Sequence, residues 1–317
     1  MVQGSAVRRR SSLTKFILRR IVISIPVIFL VATTTFFILR LAPGGPFLSE
    51  RAIPPEIQAN LQAKYGLDQP LLVQYGRYLS SLLRLDLGPS YKYPERTVND
   101  IIREGFPVSL QLGLAALVIA LLLGIPAGVF AAVKHRAVLD RLTMSVVMLG
   151  ISLPTFVVGP MLIFVFSLTL YWFPPALWGE PSQLVLPAIT LALPYSVYIA
   201  RLTRTEMLEI LDQDYIRTAR AKGAGEFRVL WRHALNGGLL PVVSFLGPAV
   251  ADLTTGSIVI EKIFAIPGLG RFFVESAFSR DYTTVMGTVL FYSVLLIGAN
   301  LVVDILYRVL DPRIEYR

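Results

Sequence analysis

The chain has no cysteine and only two histidines among its 317 residues. It therefore has no disulfide framework and no thiolate metal site. His135 and His233 lie in different loops and resemble no metal-binding pair. Charge is scarce as well: Asp, Glu, Lys and Arg make up 16% of the chain, where a soluble domain carries about 25%. The sequence has no H-E-x-x-H run and no paired acids at catalytic spacing, which argues against an intramembrane enzyme. It has no G-x-x-x-x-G-K-[ST] loop, so it does not cradle nucleotide phosphates by that route. An internal repeat and an array of intramembrane charge, features of many secondary transporters and channels, are also missing. That class remains as the alternative; ion-gradient transport by the isolated chain would mark it.

What the chain has is apolar length. Hydrophobic residues make up 54% and mean hydropathy is +0.63. A hydrocarbon core about 30 Å thick takes about 20 apolar helical residues. Backbone polar groups find no water there, so such runs are helical. Six stretches qualify: 21–41, 107–133, 142–170, 184–203, 238–260 and 284–307. The first is too long for a signal-peptide core, and no A-x-A-like cleavage site follows it, so an uncleaved first helix is expected. Trp172, Phe173, Pro174 and Pro175 separate the third and fourth, as suits an interfacial loop. Pro126, Pro154, Pro187, Pro194, Pro241 and Pro248 lie in or near spans, where each either fixes a static curve or serves a moving bundle.

The net charge of +9 comes from bases that sit mostly at the ends of apolar runs, so it reads as a topology signal rather than as a nucleic-acid surface. Residues 1–20 carry Arg8, Arg9, Arg10, Lys15, Arg19 and Arg20 and no acid. The 134–141 loop carries Lys134, Arg136 and Arg141 against Asp140, and the 171–183 loop has only Glu180. This alternation predicts cytoplasmic termini. The expected layout is a basic cytoplasmic segment 1–20, a first span 21–41, an extracytoplasmic segment 42–106, a core 107–310 and a cytoplasmic tail 311–317. The fold class is all-α, with six transmembrane helices and a small helical insertion between the first two.

In the 42–106 segment, Pro54-Pro55 predicts a helix through Ile57 and Leu61 that stops at Gly66. A second helix is expected from Pro70 to Leu85, with Leu71, Leu72, Tyr75, Leu79 and Leu82 on one side. Gly88-Pro89 breaks it, and Asn99 is placed to cap a short helix through Ile101 and Ile102. The segment is either a solvated lid or a docking surface for an external partner.

The loop 204–237 is the most informative stretch. Met207–Lys222 has helical periodicity, with Leu208, Leu211, Tyr215 and Ala219 on one stripe. Gly223-Ala224-Gly225 interrupts it. Phe227, Leu230, Trp231 and Ala234 then recur at helical spacing, with Arg228 and Arg232 on another face. A short helix of this kind can lie in the lipid interface, pack on its own protein, or insert into a groove on a cytoplasmic motor. Among the membrane carboxylates, Asp304 precedes Arg308 by four residues, a spacing for a structural ion pair. Asp252 has no sequence-local partner; it either faces a translocation pathway or bonds between helices.

The run Tyr215-Ile-Arg-Thr-Ala-Arg-Ala-Lys-Gly223, with Arg232-His-Ala-Leu235 and Leu240-Pro241, resembles the EAA loop of ABC importer permeases. The nearest likeness is to the B-type subunit of oligopeptide and dipeptide importers. Further stretches resemble that family in order: Phe16-Ile-Leu-Arg-Arg-Ile21, Leu41-Ala-Pro-Gly-Gly-Pro46, Leu87-Gly-Pro-Ser-Tyr-Lys-Tyr93, Val98-Asn-Asp100, Gly256-Ser-Ile-Val-Ile-Glu261, Ile263-Phe264, Pro267-Gly-Leu-Gly270, Arg280-Asp-Tyr282, Asp304-Ile-Leu-Tyr307 and Asp311-Pro-Arg313. The chain departs from the generic loop at Arg217-Thr218-Ala219, where the family's glutamate is missing, and at Leu235-Asn236, where a Leu-Pro is usual. The resemblance implies the permease subunit of a binding-protein-dependent, ATP-driven importer in the bacterial inner membrane. It is not itself an enzyme and holds no cofactor. Its implied partners are a homologous second permease, two cytoplasmic ATPases that bind ATP and Mg, an extracytoplasmic solute-binding protein and the lipid membrane, with no nucleic acid. Oligopeptides are the implied cargo, with dipeptides, nickel chelates or other peptide-like solutes as alternatives. ATPase coupling would fall on Arg217, Thr218, Ala219, Arg220, Ala221, Lys222, Gly223, Phe227, Leu230 and Trp231.

Overall fold

The computed structural model describes residues 3–41, 45–46, 55–93, 95–135, 137–254 and 258–310. The helices are α1 (Gln3–Leu41), α2 (Pro55–Lys64), α3 (Leu71–Leu83), α4 (Val98–Val133), α5 (Val138–Ser152) and α6 (Thr155–Leu162), which runs on into a wide π-helical turn, Ile163–Thr169. Then come α7 (Pro181–Leu211), α8 (Asp214–Ala221), α9 (Glu226–Arg228) with a second π turn (Val229–Ala234), and α10 (Leu235–Gly238). Last are α11 (Leu240–Thr254), α12 (Ile258–Ile263), α13 (Leu269–Phe278) and α14 (Tyr282–Leu310). No strand occurs among the described residues; the one β-bridge joins Pro89 and Thr97.

Among the described residues, five stretches have membrane-spanning length and hydropathy: Thr14–Leu41, Val98–Val133, Pro181–Leu211, Leu240–Ile263 (α11 with α12) and Tyr282–Leu306. The expected third span, 142–170, is not one helix. Leu153 is extended (φ −98°, ψ 121°) ahead of Pro154, and the chain restarts as the shorter apolar helix Thr155–Thr169. The cause is steric, because a residue before proline is driven out of the α region.

The chain divides into two compact units, residues 1–106 with 269–297, and residues 107–268 with 298–317. In the first unit, Phe36 of α1 is fully buried and stacks on Tyr78 of α3, with centroids 5.4 Å apart. Thr33 and Tyr75 share a hydrogen bond of 2.7 Å. The contact face of α3 therefore includes Tyr75 and Tyr78 rather than the whole expected leucine stripe; Leu72 is exposed. The helix expected from Asn99 is not short, since α4 continues for 36 residues. Its start is fixed by a reciprocal pair: Thr97 donates its N–H and hydroxyl to Asp100, and the Asp100 N–H donates back to Thr97 Oγ1 at 3.2 Å. Asn99 instead pins the preceding turn, accepting from Leu87 N–H at 2.9 Å and donating to the Leu85 carbonyl at 2.8 Å.

Asp281 ties together two family-like stretches of this unit. Its buried carboxylate accepts from the hydroxyls of Ser90, Thr283 and Thr284 and from the N–H groups of Tyr91, Lys92 and Thr284. Nearby, Glu275 accepts from Arg271 at 2.9 Å and from the Tyr93 hydroxyl at 3.1 Å. These bonds hold its carboxyl below the ordinary glutamate range, the Arg271 bond being the main cause. Burial and the Glu275 bond push the Tyr93 hydroxyl the other way.

In the second unit, Leu112, Ala116, Leu186, Ile199, Leu253 and Phe264 belong to one buried core. α4 and α7 meet there through Gly124 and Gly128. A Cβ on these would come within 2.7 Å of the Ser196 carbonyl and 2.5 Å of the Ala200 carbonyl. Small residues four apart let two membrane helices touch backbone to backbone. The buried Glu261 of α12 accepts from Ser109 at 2.7 Å, and its carboxylate lies against Gly268, where any Cβ would collide with it.

Candidate functional site

The candidate surface follows the fourth span. α7 continues eight residues past the expected end of that span, to Leu211, and Asp212-Gln213 turns the chain into α8. One face of α8 is apolar enough to dock but not to sink, and Ile216 is its one fully buried residue. Ile216 joins Ala132, Met207, Ile210, Val229 and Ala234 in a small closed core. Tyr215, expected on the inward stripe, is exposed; its hydroxyl donates to the His233 carbonyl at 3.3 Å. Leu208, Leu211 and Ala219 of the expected stripe do pack against this core, and only Tyr215 departs from it, its place inside taken by Ile216 after the break at Asp212-Gln213.

α8 closes in a way only glycine does easily. Gly223 has φ +80°, its N–H donates to the Arg220 carbonyl at 2.9 Å, and the Ala224 N–H donates to the Ala219 carbonyl at 3.1 Å. Two such bonds satisfy carbonyls a helix end would leave open, and the left-handed residue between them costs a Cβ-bearing side chain about 1–2 kcal/mol. Ala219 and Ala224 both pack against the small core, adding an apolar contact to this closure. Across the turn, Arg220 donates to Glu226 from Nε at 2.8 Å and from Nη2 at 3.2 Å. Sequence reasoning did not flag Glu226, because a six-residue spacing over a glycine break matches no helical pairing rule.

The outward side carries the remaining expected residues. Arg217, Thr218, Arg220, Ala221, Lys222 and Gly223 are exposed, and Ala219 is half-buried. Arg217 pairs loosely with Asp214 at 3.7 Å, and the Thr218 hydroxyl donates to the Asp214 carbonyl at 2.9 Å. Phe227 is 75% exposed and Trp231 60%, their ring centroids 5.9 Å apart. Leu230 is half-buried and lines, with Trp231, Leu235, Pro126, Val129 and Phe130, an apolar cavity of about 330 Å³. The result is a short arm with a fixed base and two largely exposed rings, Trp231 edging an apolar cavity against α4. Its two exposed rings make an apolar surface of a size that fits a groove.

The base of the arm is braced by a pair the sequence did not reveal. Asp140 of α5 is buried and takes both nitrogens of the Arg204 fork, Nε and Nη2, at 2.8 Å each. His135 Nδ1 lies 3.4 Å from the same carboxylate. In the sequence alone Asp140 is simply an acid among loop bases. Asp252 of α11 is exposed on the chain and accepts from the hydroxyl of Tyr195 of α7. A tyrosine 57 residues away is a partner that no local spacing rule identifies. Asp304 is half-buried, and the expected pairing falls on Arg308, whose side chain lies outside the described residues.

With this geometry in place, the relatives are informative. A family profile described as binding-protein-dependent transport system inner membrane component matches residues 124–316, and its N-terminal companion matches residues 13–113. The chain is 47% identical to the oligopeptide transport system permease protein OppB of Salmonella typhimurium, over 95% of this chain and 99% of that protein. It is also 47% identical to the dipeptide transport system permease protein DppB of Bacillus subtilis, over 96% and 98%. Among solved structures, the inward-facing MetNI methionine ABC transporter aligns with a TM-score of 0.56 at 21% identity, covering 67% of this chain and 96% of that one. That likeness establishes the fold.

Proposed function

Because this chain belongs to the binding-protein-dependent transport system inner membrane components, we propose that it is the permease subunit of an ATP-driven oligopeptide importer, coupled to its motor through the arm around Gly223. The observation that carries the coupling role is the combination of a buried base and an exposed aromatic pair, Phe227 and Trp231. An arm that only packed on its own protein would bury these rings, as it buries Ile216 and Val229.

Nucleotide binding closes two separate ATPase subunits around bound ATP and Mg, and the arm moves with them. The rigid closure at Gly223 and the Asp140–Arg204 brace pass that movement into α7 and α5. A homologous second permease supplies the other half of the pathway, and an extracytoplasmic binding protein delivers cargo. The amino and carboxyl ends lie in the cytoplasm of a bacterial inner membrane. Near-full-length identity to an oligopeptide permease supports oligopeptides as cargo; the matching identity to a dipeptide permease keeps dipeptides as the second reading. Asp252, held by Tyr195 yet exposed on the chain, is the residue assigned to the pathway.

The test is the double variant Phe227→Ala/Trp231→Ala in the assembled importer. Loss of two groove-filling aromatics is expected to cost about 2–4 kcal/mol of docking energy. ATP-dependent peptide uptake should fall by about 30-fold or more, with membrane levels of the chain unchanged. Uptake at the parental rate would end the coupling assignment.

A further inference from the structure

Within the first unit, a pocket of about 260 Å³ is lined by Arg40, Lys64, Arg77, Tyr78, Tyr91 and Asp86, among others. That is several times the roughly 30 Å³ a water molecule occupies. Three cations face one acid, and Asp86 already accepts from the Gly88 N–H at 2.9 Å. Arg40 Nη1 and the Tyr78 hydroxyl are both buried, and neither has a hydrogen-bond partner among the described residues. A buried polar group without a partner costs about 1–3 kcal/mol, so two in one pocket call for an explanation.

The Arg40 guanidinium is held in position rather than loose. Its Nε donates to Gln74 Oε1 at 3.0 Å, and its carbon lies 5.0 Å from the Phe36 ring centre. Arg77 approaches from α3; a Cβ on Gly66 would come within 2.9 Å of its Nη1, so the guanidinium rests against bare backbone. Burial pushes the Tyr78 and Tyr91 hydroxyls up to about 12, so both stay protonated and able to donate. Arg40 is also the second-last residue of the apolar stretch Thr14–Leu41. It therefore sits where hydrocarbon gives way to headgroups, whichever side of the membrane that end meets.

We propose that this pocket binds an anionic phosphate group, gripped by Arg40 and Arg77 with Lys64 and the tyrosine hydroxyls in support. The group can come from an acidic phospholipid headgroup or from free phosphate. Arginine forks and buried hydroxyls suit the three oxygens of a phosphate, and the surplus of two positive charges selects a net anion.

The test uses the full chain purified with whatever subunits accompany it. Native mass spectrometry would compare retention of phosphatidylglycerol with phosphatidylcholine of the same acyl chains. Thermal unfolding would be followed with and without inorganic phosphate. Wild type is expected to retain phosphatidylglycerol at least tenfold over phosphatidylcholine. The variant Lys64→Ala/Arg77→Ala, which changes two exposed side chains, should lose that preference while keeping the wild-type helix content by circular dichroism. Equal lipid retention, with phosphate raising the melting temperature of wild type but not of the variant, would identify free phosphate as the ligand. Equal retention with no phosphate effect would overturn the site. So would a variant that matches wild type in both measurements, and Tyr78→Phe provides a second, near-isosteric check by weakening whichever response wild type shows.

Discussion

Asp281 shows how much one carboxylate can organise when every donor around it is aimed inward. Three hydroxyls and three backbone N–H groups, those of Tyr91, Lys92 and Thr284, converge on it, and Ser90, its partner from the loop before α4, is fully buried. Asp281→Ala would leave those donors buried and unpaired. The expected cost is about 3 kcal/mol or more, against about 1 kcal/mol for Ser90→Ala, read as a difference in thermal stability of the purified chain. A pH dependence belongs to Glu275. Its carboxyl is depressed in the folded state by Arg271, so the stabilisation is complete above the ordinary glutamate value of 4.5. It is lost as pH falls through the lower folded value. Melting temperatures of wild type and Glu275→Gln, compared from pH 7 down to pH 3, should converge at the acid end. A gap that stays constant over that range would contradict the pairing. Neither cluster was legible in the sequence. Ser90 and Asp281 are 191 positions apart, and only the folded chain brings them together. What the sequence did contain was their two motifs as separate fragments of one family resemblance.

At the scale of elements, local rules reached furthest where a helix has to stop or start. Gly223 was readable as a break because a left-handed residue there has one good solution, and the observed φ of +80° is that solution. The pairing of Phe227 with Trp231 was readable from their four-residue spacing, and the rings do lie together. Which way they point was not readable, since periodicity separates faces without naming what each face meets. The same gap explains Ile216, inward where Tyr215 was expected, and the third span, whose hydropathy concealed the stop at Leu153-Pro154. Gly124 and Gly128 carried an unread signal: four-residue spacing of small residues in an apolar run, which the contact of α4 with α7 turns into a backbone-to-backbone seam. Gly128→Val would push against Thr203 and the Ala200 carbonyl and force α4 and α7 apart. Overpacking of this kind is expected to destabilise by about 1–3 kcal/mol, measurable as a lower melting temperature and less ATP-driven uptake per inserted chain. Wild-type behaviour of that variant would mean that the seam is not tightly closed in the membrane.

For the molecule as a whole, the all-α class followed from apolar length and the absence of alternatives, and the five long apolar helices among the described residues agree with that class. The proposed sidedness rests on the distribution of Lys and Arg, which predicts the face on which the arm would work. Everything proposed for coupling requires the turn at Gly223 to face the ATP-containing side. The chain has no cysteine, so a single introduced thiol reports without background. Lys222 is exposed beside Gly223 and bears on no buried contact, which makes Lys222→Cys the cleanest probe. A membrane-impermeant maleimide applied to intact cells should leave this thiol unmodified, and the same reagent should modify it in inverted membrane vesicles. Modification from the outside of intact cells would place the arm on the wrong side of the membrane and contradict ATP-driven coupling through it.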